Sequence, residues 1–390
     1  MIYVHVPFCR SFCTYCDFYS EVAAKCRRAE DEHRQEELFG RFAEALSSEA
    51  VMRADEISDD VNTLYIGGGT PSVLPLSFYA GLLSVLDSVG HGGPFDEFTV
   101  EVNPEDIVEN GHEYVEGLLK FGVNRISMGV QSFDDGILRF MNRRHDAATA
   151  RKAYAVLEEA GVENISIDLI FGLPQLSSEV WQETLKKAID MSVRGVLPQH
   201  VSSYQLSVEP GSMLARMVEK GKWQEASEEL CEEQYGMLCS TLAEAGYDHY
   251  EISNFAQPGR RALHNSAYWR HVPYVGLGPG AHSFSTGASA IGETVFRRTW
   301  NRPDLKAYIA DRPAVREGET LTDDQLAIEH VMLGLRTSEG LPETYLRQHC
   351  DVRALEREMA SGGLVRLSEG SVRIPESRFF VSDSIISEII

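Results

Sequence analysis

The chain has no uninterrupted apolar run of the roughly 18 residues that a membrane-spanning helix needs. The stretch Met1 to Phe8 also lacks the basic region and cleavage site of a secretory signal, so the chain is expected to work in the cytoplasm. Basic residues are scarce: 36 Lys and Arg stand against 59 Asp and Glu, for a formal net charge of -23. A field of that sign repels phosphate backbones and anionic headgroups, which disfavours non-specific nucleic-acid binding although it leaves room for a local basic cleft. Low-complexity tracts are absent, and a hydrophobic content of 43% excludes wholesale disorder. At 390 residues the chain exceeds what one core usually supports, so two or three domains are expected.

Cysteine is present without the pairing of a disulfide framework. The count is seven, odd for such a framework, and Cys26, Cys231, Cys239 and Cys350 are scattered as ordinary buried or surface residues would be. Cys9, Cys13 and Cys16 crowd into eight residues. A structural zinc ion normally takes four Cys or His ligands, usually as two paired knuckles, and no second pair stands nearby. His5 is the nearest candidate for a fourth ligand, but it lies in an extended apolar run. Three thiolates with a vacant fourth position suit a 4Fe-4S cubane whose last iron stays open to a substrate or cofactor. Zinc or inert thiols remain the alternatives on this ground alone.

Short apolar runs predict buried strands at Ile2 to Val6, Thr63 to Ile66, Phe98 to Val102, Arg125 to Val130, Ile165 to Ile170 and Val201 to Leu206. Helical periodicity between them predicts helices at Glu36 to Met52, Ser77 to Ser88, Tyr114 to Phe121, Ala147 to Ala160 and Glu179 to Met191. Strands alternating with helices give a parallel sheet with right-handed crossovers, and six units are too few for an eight-stranded barrel. An α/β fold, an open or partial (β/α)6 barrel, is therefore expected. At or near the strand ends stand the cysteines, the loop Gly67-Gly68-Gly69-Thr70-Pro71, and Glu101, Gln131, Asp168 and Tyr204. Each has a bland explanation as turn, strand exit or cap. Strand C-termini of such barrels converge on one face, however, and repetition at successive ends predicts a shared mouth.

Past Leu206 the rhythm breaks. A polar helical stretch from Lys222 to Glu244 leads into an irregular segment, Gly246 to Gly292, whose centre is Leu263-His264-Asn265-Ser266-Ala267-Tyr268-Trp269 and then Tyr274 to His282. Pro303 and Pro313 bracket a short helix, after which Leu321 to Leu335, Leu341 to Gln348 and Leu355 to Ser361 read as helices and Val365 to Ile374 as a hairpin turning at Glu369-Gly370. That order suits a small α+β, winged-helix-like appendage, whose acidity argues for a lid or partner surface rather than a DNA reader.

With Cys9-Arg-Ser-Phe-Cys13-Thr-Tyr-Cys16 and the glycine loop, the chain resembles a radical S-adenosylmethionine (SAM) protein. The wider strings Tyr3-Val-His-Val-Pro-Phe-Cys9, Cys16-Asp17-Phe18, Gly122 to Phe133 and Ile167 to Pro174 are similar to the family of oxygen-independent coproporphyrinogen III oxidase and its relative, the haem chaperone HemW. The resemblance covers nearly all of the chain, through Phe380-Val-Ser-Asp-Ser-Ile-Ile. The oxidase has a further cysteine where Phe18 stands here, and an N-terminal arm, whereas the first strand here begins at residue 2. His264 to Trp269 matches the HNxxYW signature of the chaperones.

The resemblance thus implies haem binding and delivery to acceptor apoproteins, including membrane-associated ones. It also implies an electron donor, and it makes oxidative decarboxylation of coproporphyrinogen III the alternative activity. A radical enzyme modifying transfer RNA is disfavoured by charge and by the lack of an RNA module. By resemblance Cys9, Cys13 and Cys16 ligate the 4Fe-4S cluster. Gly68, Gly69, Thr70, Glu101, Gln131, Arg143 and Asp168 would contact SAM, with Tyr3 and Tyr15 in the cluster surroundings. His264 would ligate haem, with His282 and His271 as substitutes and Arg260, Arg261 and Arg270 near the propionates. The expected domains are 1–225 (radical SAM partial barrel), 226–302 (extension carrying HNxxYW) and 303–390 (winged-helix-like).

Overall fold

β-Branched and aromatic residues fill the apolar runs, and they form strands because such side chains pack well on a pleated surface buried on both faces. The computed structural model describes residues 1–22, 29–58, 62–195, 197–288, 294–311 and 316–390. Cys26, Gly292 and Pro313 lie outside the described residues. The six expected strands are all present to within a residue or two: β1 (Ile2–Val6), β2 (Thr63–Gly68), β3 (Glu97–Val102), β4 (Arg125–Gln131), β5 (Ile165–Phe171) and β6 (His200–Gln205). Each is parallel to its neighbour, with Val6 opposite Gly68 and Asp168 opposite Ser202. Residues such as Val4, Ile66, Val100, Ile126 and Ile167 are fully buried, and each such side chain contributes about 1.5–3 kcal/mol.

The crossovers are α1 (Ala29–Met52), α2 (Leu76–Ser88), α3 (Pro104–Lys120), α4 (Ala147–Glu159) and α5 (Ser178–Ile189). Local caps fix several starts: the Asp146 carboxylate accepts from Thr149 N at 2.8 Å, and Ser177 Oγ accepts from Val180 N at 3.3 Å. α3 begins ten residues before the expected Tyr114. Pro104 occupies its first turn with Glu105 and Asp106, a favourable opening for a helix N-terminus, and Gly111 at φ 69° marks a kink. That kink interrupts the apolar stripe and hides the first half from a periodicity argument.

The sheet has nine strands rather than six. Beyond α6 (Glu228–Glu244), β7 (Asp248–Glu251) and β8 (Asn254–Ala256) add antiparallel strands at the β6 edge. After α7 (Leu263–Trp269), β9 (Val275–Leu277) pairs parallel with β1, giving the order β9-β1-β2-β3-β4-β5-β6-β8-β7. The segment 226–302 is therefore woven into both edges of the barrel sheet, and residue 225 separates no two sheets. A second sheet, β10 (His282–Ala288), β11 (Thr294–Asn301) and β12 (Arg316–Leu321), follows.

The C-terminal unit runs helix Asp323–Gly334, strand Leu341–Pro342, helices Glu343–His349 and Val352–Ser361, and a hairpin of Val365–Arg366 with Ser371–Arg373. This is the winged-helix-like order expected, followed by a terminal helix, Ser382–Ile389, that the sequence reading did not mark. It docks on the β7 edge, where Ser338 N donates to Tyr250 O at 2.9 Å and Glu251 bridges Thr337. Among the described residues no helix is long and apolar enough to cross a membrane.

Candidate functional site

A cavity of about 420 Å³ opens at the C-terminal ends of β1 to β6. It is lined by Cys9, Cys13, Cys16, Tyr15, Gly68, Gly69, Thr70, Glu101, Gln131, Arg143, Asp168 and Tyr204, so nearly every residue expected at the mouth is brought to one wall. Among the described residues no lining residue lies beyond Asn265, and the C-terminal unit, expected as a lid or partner surface, sits on the sheet edge away from the cavity.

The cysteine loop leaves β1 at Pro7 and is pinned by groups other than its thiols. Thr14 N donates to Met141 O at 3.1 Å, Asn142 Nδ2 donates to Phe12 O at 2.6 Å, and Arg10 Nε lies 3.2 Å from Asp106 Oδ1 on α3. Thr70 Oγ1 approaches Cys9 Sγ at 3.5 Å and Arg143 Nη1 approaches Cys13 Sγ at 3.4 Å. Burial, with the neighbouring cysteines, pushes the Cys16 thiol up to about 12 and Cys9 upward as well. Thiols so placed ionise only against a cationic partner. The His5 ring is already committed: Tyr3 Oη donates to Nδ1 at 3.1 Å and Nε2 donates to Tyr19 O at 2.8 Å. It is no fourth ligand here. Tyr3 itself, expected beside the cluster, faces His5 and Tyr65 and does not line the cavity.

The glycine loop serves the protein's own packing. A Cβ on Gly68, whose φ is +104°, would meet His5 Nδ1 at 2.5 Å, and one on Gly69 would meet Phe8 O at 2.7 Å. Behind it, Tyr65 Oη donates to Glu101 Oε1 at 2.7 Å and Gly68 N donates to Oε2 at 3.0 Å, while Ser127 Oγ donates to Asp168 at 3.3 Å. Arg143 donates to Asn103 Oδ1 at 2.6 Å and Gly129 O at 2.8 Å, yet its buried Nε has no partner among the described residues. Among the described residues, three thiols without a fourth, a guanidinium with an orphaned donor and two carboxylates in one cavity fit a 4Fe-4S cluster with an amino-acid-bearing cation beside it.

Burial, offset by the Tyr65 hydroxyl and raised again by Asp168, holds Glu101 at about 7. Burial, offset by Ser202, Arg125 and Ser127, holds Asp168 at about 6. A carboxyl raised in the folded state binds protons more tightly there than in the unfolded chain. These two groups therefore weaken the fold as pH climbs from the ordinary carboxylate range through about 7. Glu101→Gln keeps the shape without the charge. In protein free of SAM it is expected to flatten the fall in Tm between about pH 5 and 8, and to melt a few degrees above the parent at the upper end. Parallel Tm profiles would contradict this assignment.

His264 needs a correction. It was expected on a loop open to an axial iron; it is instead the second residue of α7, 1% exposed, with Nδ1 2.8 Å from Thr63 Oγ1 and Nε2 3.0 Å from Tyr268 Oη. Burial holds its ring well below the usual range, at about 3. Both nitrogens are used inside the fold. The neighbouring Asn265 lines the cavity, so the HNxxYW helix reaches the site through a different residue. Arg260, Arg261 and Arg270 do not line it. Sequence reading also passed over Tyr65, Asn103, Ser127 and Ser202. Tyr65 and Asn103 each stand two residues from a marked position, so strand alternation would have found them. Arg125, 1% exposed on β4 and drawing both carboxylates down, left no pattern to follow.

This fold and site define the chain as a radical S-adenosylmethionine protein, and residues 3–188 match the Radical SAM superfamily. The solved structure of Escherichia coli coproporphyrinogen III oxidase shares the fold, with a TM-score of 0.78 over 99% of this chain and 89% of that one at 22% identity. Within the superfamily the chain belongs to the HemW family. It is 31% identical over 384 residues to the heme chaperone HemW of Bacillus subtilis, covering 95% of this chain and 93% of that protein. It is also 31% identical over 339 residues to that of Synechocystis, covering 87% and 78%. A mitochondrial radical S-adenosyl methionine domain-containing protein 1 of Danio rerio is 30% identical over 401 residues, covering 100% and 86%.

Proposed function

We propose that the chain carries a 4Fe-4S cluster on Cys9, Cys13 and Cys16 with S-adenosylmethionine beside it, and that it binds haem on this scaffold and hands it to acceptor apoproteins. The observation that carries the reading is the single cavity in which the three thiols, the orphaned Arg143 donor, the Glu101 and Asp168 carboxylates and Asn265 of the HNxxYW helix meet. When bound, the reduced cluster supplies a low-potential electron at short range to the sulfonium. The chain's own residues hold and orient. The cysteines would hold three irons of the cluster, and Arg143, anchored on Asn103 and Gly129, presents positive charge beside Cys13. Glu101 and Asp168 would accept hydrogen bonds from the amine and hydroxyl groups of the ligand, at the end of the pocket stiffened by Tyr65 and Ser127. Gln131, Thr70 and Tyr15 complete the wall.

Kinship with the heme chaperones supports haem as the cargo rather than a porphyrinogen as the substrate. Phe18, 63% exposed at the cavity rim, supplies no thiol where the oxidase resemblance calls for one. Anaerobic reconstitution followed by haem titration, with and without SAM, tests the reading, with a coproporphyrinogen III assay run alongside. Stoichiometric haem uptake without protoporphyrinogen formation is expected; sustained turnover would transfer the chain to the oxidase reading.

A further inference from the structure

His282 opens β10 and lies directly across from Trp300 on β11. Their sequence neighbours decide which way the two face. Ser283 and Asn301 are buried in a polar network: Arg53 donates to Ser283 Oγ at 2.8 Å and to Gly276 O at 2.6 Å, while Asn301 Nδ2 donates to Glu49 Oε1 at 2.8 Å and to Gly278 O at 2.7 Å. Side chains alternate along a strand, so His282 and Trp300 point to the opposite face, on backbone held rigid from behind.

There the exposed His282 imidazole stacks on the Trp300 indole, centroids 5.8 Å apart at 23°. Among the described residues its ring nitrogens have no hydrogen-bond partner. The other histidines weighed for iron differ: those of His5 and His264 are spent, and His271 gives Nε2 to Glu329 at 3.2 Å with its face closed against Phe284 at 4.4 Å. Partial burial and nearby Arg298 keep the His282 ring below its usual range, so it is neutral with a free lone pair at pH 7. Trp300 pairs across with Glu317, and Arg302 Nε meets the same Glu317 at 3.0 Å, which places Arg302 on this face. Arg298, two residues before Trp300, is on it too, with its guanidinium tied to Glu329 at 2.6 Å and Glu319 at 3.6 Å.

We propose that His282 is the axial ligand through which this chain holds the iron of its haem cargo, with Trp300 bracing the imidazole; this rests on the haem-chaperone reading above. A porphyrin plane stands perpendicular to its axial imidazole. The indole, parallel to that imidazole, thus meets the porphyrin face edge-on, a favourable aromatic arrangement, and fixes the ring's rotation.

The test uses the full chain with its cluster reconstituted anaerobically and ferric haem as the probe. Wild type is expected to shift the Soret band of free haem. His282→Ala should weaken binding roughly tenfold or more and move the band, with the cluster iron content unchanged. His282→Met should keep binding but give a thioether-ligated spectrum, and Trp300→Ala should weaken binding with the histidine-ligated spectrum retained. A His282→Ala variant with wild-type affinity and Soret band overturns the assignment. Failure of the wild type itself to take up haem would instead overturn the chaperone reading.

Discussion

Cys13→Ser is expected to reduce reconstituted iron from about four per chain to a small residue, because a serine oxygen is a poor substitute for a thiolate and three ligands leave none to spare. The fold should survive. The loop carrying Cys13 is tied to the barrel by Thr14 and Asn142 through main-chain groups, and by Arg10 through Asp106, none of which the substitution touches. Anaerobic iron and sulfide analysis, with circular dichroism on the same samples, separates the two effects. Cys231→Ser, at a thiol buried in α6 away from the cavity, should keep its iron. A full complement of iron in Cys13→Ser would falsify the cluster assignment.

Gly68→Ala should produce a large loss of stability for a single added methyl group. The position has φ +104°, outside the range that L side chains adopt readily, and the added Cβ would stand 2.5 Å from His5 Nδ1. The backbone strain costs about 1–2 kcal/mol and the overpacking about 1–3 kcal/mol, which together lower Tm by several degrees. His5 cannot swing aside without giving up its bonds to Tyr3 and Tyr19, so the cysteine loop that ends at Tyr19 should shift with it. A double variant, His5→Ala with Gly68→Ala, removes the collision and leaves the strain. A favourable coupling energy in that thermal-melt cycle is therefore expected, whereas strict additivity would show that the contact does not matter.

Much of the site is legible in the sequence alone, for a physical reason. In a parallel sheet the chain visits the same mouth after every strand, so residues at successive strand ends are neighbours although dozens of positions separate them. That geometry brings Cys9, Gly68, Glu101, Gln131 and Asp168 to one cavity. The misreadings share a cause as well. The local company of His264, two aromatics in a stretch without a side-chain helix cap, reads as a loop. α7 is instead capped from far away: Glu97 on β3 accepts from Leu263 N at 2.7 Å and His264 N at 3.1 Å, across a sequence separation that no local pattern records. That distant cap turns an apparent loop into a helix, and Thr63, from the start of β2, takes the His264 nitrogen left over.

The sequence by itself determined the alternation of strand and helix, the thiol spacing and the order of polar residues around the mouth, because each depends on local periodicity or on a few adjacent positions. Only the tertiary structure decided which polar groups are spent inside the fold and which stay free. Arg125 and Glu49 are buried among partners from distant segments, His264 is closed off, and His282 is turned outward by the alternation of Ser283 and Asn301 into the Arg53–Glu49 network. Burial and hydrogen-bond satisfaction are properties of the packed whole, and a ring nitrogen's availability for iron depends on both.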